Sequence, residues 1–205
     1  MNLFLTGTDT DVGKTYAAAL LVRAGREAGQ ATVGLKPICC GGREDAELLR
    51  AAADEALELN DVNPVWLRAP VAPYAAAMIE NRTIDLALIR ETFARVRGAH
   101  RSVIVEGVGG WLVPITRDYL VRDLAVEFGF PVIVVVANRL GALNHTLLTI
   151  ESIRRAGLEV AGIILNQVTP PKPDDVASTT NRAILEDLTG GPILHDIAFG
   201  QQTLS

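Results

Sequence analysis

Cysteine is scarce in this chain, and its placement says more than its number. Cys39 and Cys40 are adjacent, so a bridge between them is geometrically strained and both read as free thiols of a reducing compartment. Without a disulfide framework the 205 residues must bury their own apolar core, and that length suits one domain over 1–205 rather than two. An excess of basic residues is also lacking. Asp and Glu number 24 against 19 for Lys and Arg, a net charge of −5, so nothing draws the chain to a polyanion or an anionic membrane face. We expect neither nucleic acid nor membrane as a partner. Long apolar runs are missing too: the longest, Phe130 to Ala137, falls well short of the roughly 18 residues of a spanning helix. The opening Met-Asn-Leu-Phe-Leu carries no basic leader, from which we expect a cytoplasmic location. Repeats and low-complexity tails are absent.

What is present is an alternation of short apolar runs with longer amphipathic ones, the mark of an α/β protein with a mostly parallel sheet and helices on both faces. Leu3–Thr6, Thr32–Lys36, Ser102–Glu106, Pro131–Ala137 and Val160–Asn166 read as strands, with a last short one at Pro192–His195. Lys14–Ala28, Glu44–Leu59, Asn144–Ala156 and about 178–188 read as helices, as does a segment capped by Thr83 and ended by Gly98. Prolines 64, 70 and 73 break 60–83 into loop with a short helix over the sheet edge, and Pro170 to Pro173 open a polar loop.

The first strand and first helix are joined by Gly7-Thr-Asp-Thr-Asp-Val-Gly13-Lys14-Thr15. A glycine turn between a strand and a Gly-Lys-Thr helix start is a phosphate-binding loop: backbone N–H groups point inward, Lys14 reaches the outer phosphates, and Thr15 offers its hydroxyl to magnesium. The spacing is one residue longer than the strict pattern, which would place glycine at Thr8.

Three charged residues have two readings each. Glu106 closes an apolar strand, where it either supports magnesium at the sheet's C-terminal edge or faces solvent. Asp45 is either a cation ligand or an acid that stabilises a helix start. Lys36 ends the second strand, as an anion holder at the same edge or as a snorkelling surface lysine.

Taken together, "GTDTDVGKT", "GLKPICCGGREDAELL", "VEGVGGWLVP" and "NRLGALNHTLLTIESIRRAGLEVAGIILNQV" resemble the dethiobiotin synthetase family over nearly the whole chain. The resemblance implies a single-domain P-loop NTPase-like fold and a homodimer. It also implies a ligase that uses ATP, magnesium, carbon dioxide and 7,8-diaminononanoate to close a ureido ring through a phosphorylated carbamate. Carried over position by position, it implies catalytic roles for Lys14 and Lys36, and nucleotide contacts from Asp11, Val12, Gly13, Lys14, Thr15 and Asn166. Thr15, Asp45 and Glu106 are its metal set. Its substrate contacts are Thr10, Lys36, Cys40, Pro73 and Gly109, with Asn144 reaching in from the other subunit; for Cys40 a small packed thiol is the competing reading. His195-Asp196-Ile197-Ala198 stands where the family has a Gly-Glu-Ile-Pro-like stretch beside the base, which leaves base preference open. Two other classes share such a loop: a nucleotide-switch ATPase of the partition type, and the ATP-using half of a cobyrinate-type amidotransferase. The first would carry an added lysine early in the loop and the second a glutaminase domain, and this sequence shows neither.

Overall fold

The computed structural model describes residues 1–170, 175–190 and 192–203. The chain opens with β1 (Asn2–Gly7), α1 (Lys14–Glu27) and β2 (Thr32–Leu35). A small layer follows, made of β3 (Ile38–Cys40), α2 (Glu44–Ala52), α3 (Leu59–Val62), β4 (Val65–Leu67) and α4 (Pro73–Ile79). Next come α5 (Leu86–Ala99), β5 (Ser102–Gly110), β6 (Pro114–Thr116), β7 (Tyr119–Leu120) and α6 (Val121–Phe128). The last elements are β8 (Val132–Ala137), α7 (Ala142–Arg155), β9 (Val160–Asn166), α8 (Val176–Thr189) and β10 (Ile193–Ile197).

Six strands form one sheet in the order β10-β9-β8-β1-β5-β2, and every neighbouring pair is parallel. The residues of β8 are all buried, as are those of β5 from Ser102 to Glu106, so these strands read as unbroken apolar runs rather than alternating ones. That is what a parallel sheet covered on both faces requires. On one face Phe4 of β1 meets Phe128 of α6 edge-on, and Phe128 stacks on Phe93 of α5 at 3.7 Å. Elsewhere Gly34 of β2 lets Leu49 of α2 approach to 3.1 Å of where a Cβ would stand. β1 lies between β5 and β8, so the chain's first turn opens at the place where successive connections leave in opposite directions.

Several expectations are corrected. The helix expected over Glu44–Leu59 ends at Ala52, because Asp54 and Glu55 take left-handed φ values of 50° and 56°. The Glu55 N–H closes back on Arg50 O, and Arg50 reaches Leu57 O, so local closure overrides the helix propensity of the alanines. The cap expected at Thr83 is Asp85, whose carboxylate accepts from Leu88 N–H, and the helix runs through Gly98 to Ala99. Within the stretch expected as loop, β4 pairs with β3 in parallel, and the Asn63 amide bridges Lys36 O and Val65 O to hold them together. β5 continues past Glu106 to Gly110, and β10 runs on to Ile197. Residues 114–128, given no element from the sequence, form the β6–β7 hairpin and α6. Pro171 to Pro173 of the expected polar loop lie outside the described residues.

Candidate active site

The turn after β1 is built by backbone shape. Gly13 caps α1 at φ 84°, a left-handed value, and a Cβ there would stand 2.0 Å from Asn166 Nδ2. Only glycine fits both demands. Asn166, at the end of β9, donates from Nδ2 to Val12 O at 3.0 Å and so ties the loop to the far side of the sheet. Lys14 follows, 6% exposed, with Nζ donating to Asp9 O at 3.0 Å. Burial, then the neighbouring Lys36 charge, pull its pKa down to about 8 against the opposing pull of Glu106, Asp45 and Asp11.

Across the cleft, β2 hands Lys36 to the sheet edge, β5 brings Glu106, and the first turn of α2 brings Asp45. Lys36 Nζ donates to Glu106 Oε1 and lies 2.9 Å from Asp45 Oδ2. Thr15 Oγ1 donates to the same Glu106 Oε1 at 2.8 Å. Glu106 is fully buried and Lys36 3% exposed, so the solvent-facing reading of the one and the snorkelling reading of the other are overturned. Burial alone would push the Lys36 pKa down, yet Glu106 and Asp45 outweigh it and hold the ammonium charged. Asp45 sits below the usual carboxylate range: Lys36 overcomes the effect of its partial burial.

Glu106 Oε2 is buried and has no hydrogen-bond partner. Among the described residues no three His, Cys, Asp or Glu side chains gather into a metal cluster. The donors at hand are two carboxylates and one hydroxyl, all oxygen. That set fits magnesium, which keeps several waters and takes the rest of its shell from phosphate.

These groups open into one cleft of about 1010 Å³. Thr10, Asp11, Gly13, Lys14 and Thr15 form its loop side, and Lys36, Cys40, Asp45 and Glu106 the facing side. Pro73 and Gly109 also line it, as does Asn166. Gly109 has φ 62°, and a Cβ there would stand 2.8 Å from Val113. Val12 lies beneath the loop, buried, offering its carbonyl to Asn166. Asn144 is exposed on α7 and does not line this cleft. Tyr16, Val168 and Phe199 are among the lining residues not singled out from the sequence. Phe199 had a signal, since it directly follows Ala198, the last residue of the stretch compared with the family's Gly-Glu-Ile-Pro-like segment.

A phosphate-cradling turn at the switch point of an all-parallel sheet, with a lysine inside it and carboxylates opposite, defines a P-loop NTPase built as a single α/β domain. Residues 1–200 match a family model described as an AAA domain. The chain belongs to the ATP-dependent dethiobiotin synthetase family: it is 46% identical to the ATP-dependent dethiobiotin synthetase of Akkermansia muciniphila over 98% of this chain and 93% of that one. It is likewise 46% identical to that of Anaeromyxobacter dehalogenans, over 91% of this chain and 85% of the relative. Among solved structures it resembles the cell division protein FtsY of Thermotoga maritima at TM-score 0.58 and 16% identity, covering 100% of this chain and 64% of FtsY. It also resembles the septum site-determining protein MinD of Pyrococcus horikoshii, complexed with Mg-ADP, at TM-score 0.58 and 16% identity over 97% and 82%. At that identity the two likenesses are of fold alone.

Proposed function

We propose that this chain is an ATP-dependent dethiobiotin synthetase that closes the ureido ring of dethiobiotin from 7,8-diaminononanoate and carbon dioxide. The single observation that carries the reading is the meeting of Lys14, Thr15, Lys36, Asp45 and Glu106 in one cleft, brought there by α1, β2, α2 and β5.

The reaction needs two anions brought together. One amine of the diamine takes up carbon dioxide as a carbamate. A carbamate oxygen attacks the terminal phosphorus of ATP, the bond to the bridging oxygen breaks, and ADP leaves. The second amine then attacks the carbamate carbon, loses its proton, and phosphate departs with the oxygen that had joined carbon to phosphorus.

Phosphoryl transfer of this kind is a matter of positioning and charge. The loop N–H groups and Lys14 hold the outer phosphates, and Lys14 follows charge onto the leaving oxygen. Lys36 faces the carbamate. Thr15, Asp45 and Glu106 would hold magnesium, directly or through water; bound there, it neutralises phosphate charge. The Thr15 hydroxyl can give a lone pair to the cation while still donating its proton to Glu106. Thr10, Cys40, Pro73 and Gly109 shape the substrate side, and Asn166 and its neighbours the base side. Asn144, exposed on α7 and absent from the lining of its own cleft, serves the substrate of a second copy, which makes the working unit a homodimer. Residues 1–205 act as one such domain in the cytoplasm.

The test is phosphate release by purified protein given magnesium, ATP and bicarbonate, with and without 7,8-diaminononanoate. Release that depends on the diamine is expected. Equal release without it contradicts the ligase and favours a nucleotide switch.

A further inference from the structure

The residues assigned to the cation already share one. Lys36 Nζ sits between the half-exposed Asp45 and the fully buried Glu106, one positive charge set against two carboxylates. Thr15 points its hydroxyl at the same Glu106 oxygen, so that oxygen accepts from both the lysine and the threonine. The other Glu106 oxygen, Oε2, is buried and unpartnered. The site is thus saturated on one side and open on the other.

Magnesium takes oxygen ligands at about 2.0–2.1 Å and tolerates little distortion. An ammonium standing 2.9 Å from Asp45 and in contact with Glu106 fills the gap between one oxygen of each carboxylate. Two cations in that gap would also repel across a few ångströms of water-poor interior, where Coulomb terms are several times those in water. A divalent ion drawing on both carboxylates is therefore opposed by the Lys36 charge.

We propose that Lys36 is an internal stand-in for the divalent cation, and that cation binding and the release of its amine from Asp45 and Glu106 are one event. This rests on the reading of the cleft as a cation-dependent phosphoryl-transfer site and adds an order of assembly. Before the cation arrives, Lys36 is locked and the acids are kept from repelling each other. Afterwards the lysine is free to turn towards the anionic co-substrate.

The experiment follows the lysine directly. In full-length protein labelled with nitrogen-15 at lysine side chains, an ammonium pinned by two carboxylates gives a slowly exchanging NMR signal, assigned by its loss in Lys36→Arg. Titrating magnesium with a non-hydrolysable ATP analogue should shift that signal or broaden it into solvent exchange, while the same analogue without magnesium leaves it in place. A Lys36 signal unchanged at saturating magnesium overturns the proposal, and so does a signal lost with the analogue alone.

A second arm measures manganese binding to nucleotide-free protein by electron paramagnetic resonance. Lys36→Met should bind about tenfold tighter than wild type through removal of the competing charge; equal affinity overturns the proposal. If that variant does not fold, the wild-type titration decides alone. Neither arm involves the diamine, so a failed ligase assay leaves this inference standing, and a failed titration leaves the ligase reading standing.

Discussion

Asn166 Nδ2 donates to Val12 O at 3.0 Å, joining the end of β9 to a loop that lies 154 residues earlier. The amide therefore holds the shape of the phosphate loop as well as lining the cleft. Asn166→Ala leaves a buried carbonyl without its donor, at a cost of about 1–3 kcal/mol. We expect a lower melting temperature together with weaker binding of inorganic tripolyphosphate, a probe that has no base. Loss of nucleoside triphosphate binding with tripolyphosphate binding intact would show that Asn166 acts on the base alone.

Gly13 meets the same amide from below. Gly13→Ala adds a carbon 2.0 Å from Asn166 Nδ2 and imposes a left-handed φ on an L-residue, which costs about 1–2 kcal/mol before any clash. Calorimetric titration with ATP should show affinity falling at least about tenfold, the equivalent of 1.4 kcal/mol. The double variant Gly13→Ala/Asn166→Ala should bind ATP no worse than the sum of the two losses, since the clash is gone while the backbone strain stays.

Glu106→Gln leaves the buried Lys36 ammonium with Asp45 alone to balance it. Breaking one side of a buried pair costs about 3–5 kcal/mol, whereas replacing both sides costs far less. Thermal denaturation should therefore rank Lys36→Met/Glu106→Gln above Glu106→Gln, although neither variant turns over substrate.

Much of this site was legible because its parts sit at junctions that a sequence displays. A strand, a glycine turn and Gly13-Lys14-Thr15 carry their geometry in order, and Lys36 and Glu106 stand where apolar runs stop. Burial separated the two readings of each: Glu106 is fully buried and Lys36 nearly so, which no local signal announces. Three-residue strands such as β3 and β4 have too little length to show a period, and their pairing depends on Asn63 bridging two carbonyls. Ala51 to Ala53 favour helix in isolation, yet the left-handed turn at Asp54 and Glu55 ends it. The Asn166 tie to Val12 is a contact between distant segments, and no spacing within either segment reveals it.

The thiols of β3 supply a pH dependence. Burial pushes Cys39 up to about 12 and Cys40 to about 11 from an ordinary value of 9.0. The folded chain thus keeps two protons that the unfolded chain gives up above pH 9, so their contribution to stability is present below 9 and is lost as pH climbs through about 11 for Cys40 and about 12 for Cys39. Denaturant midpoints should fall more steeply over that window for wild type than for Cys39→Ala/Cys40→Ala. At pH 8, iodoacetamide should label native Cys40 about a hundredfold more slowly than the denatured chain, in step with its smaller thiolate fraction.

The most direct measurement follows oxygen from bicarbonate into phosphate. With bicarbonate carrying heavy oxygen, ATP, magnesium and 7,8-diaminononanoate, mixed faster than the label exchanges with water, the released phosphate should carry one labelled oxygen by mass spectrometry, because the carbamate oxygen that attacks phosphorus leaves with it. Phosphate with no label would mean that water, not a carbamate, attacked ATP, and the cleft would not be performing ring closure.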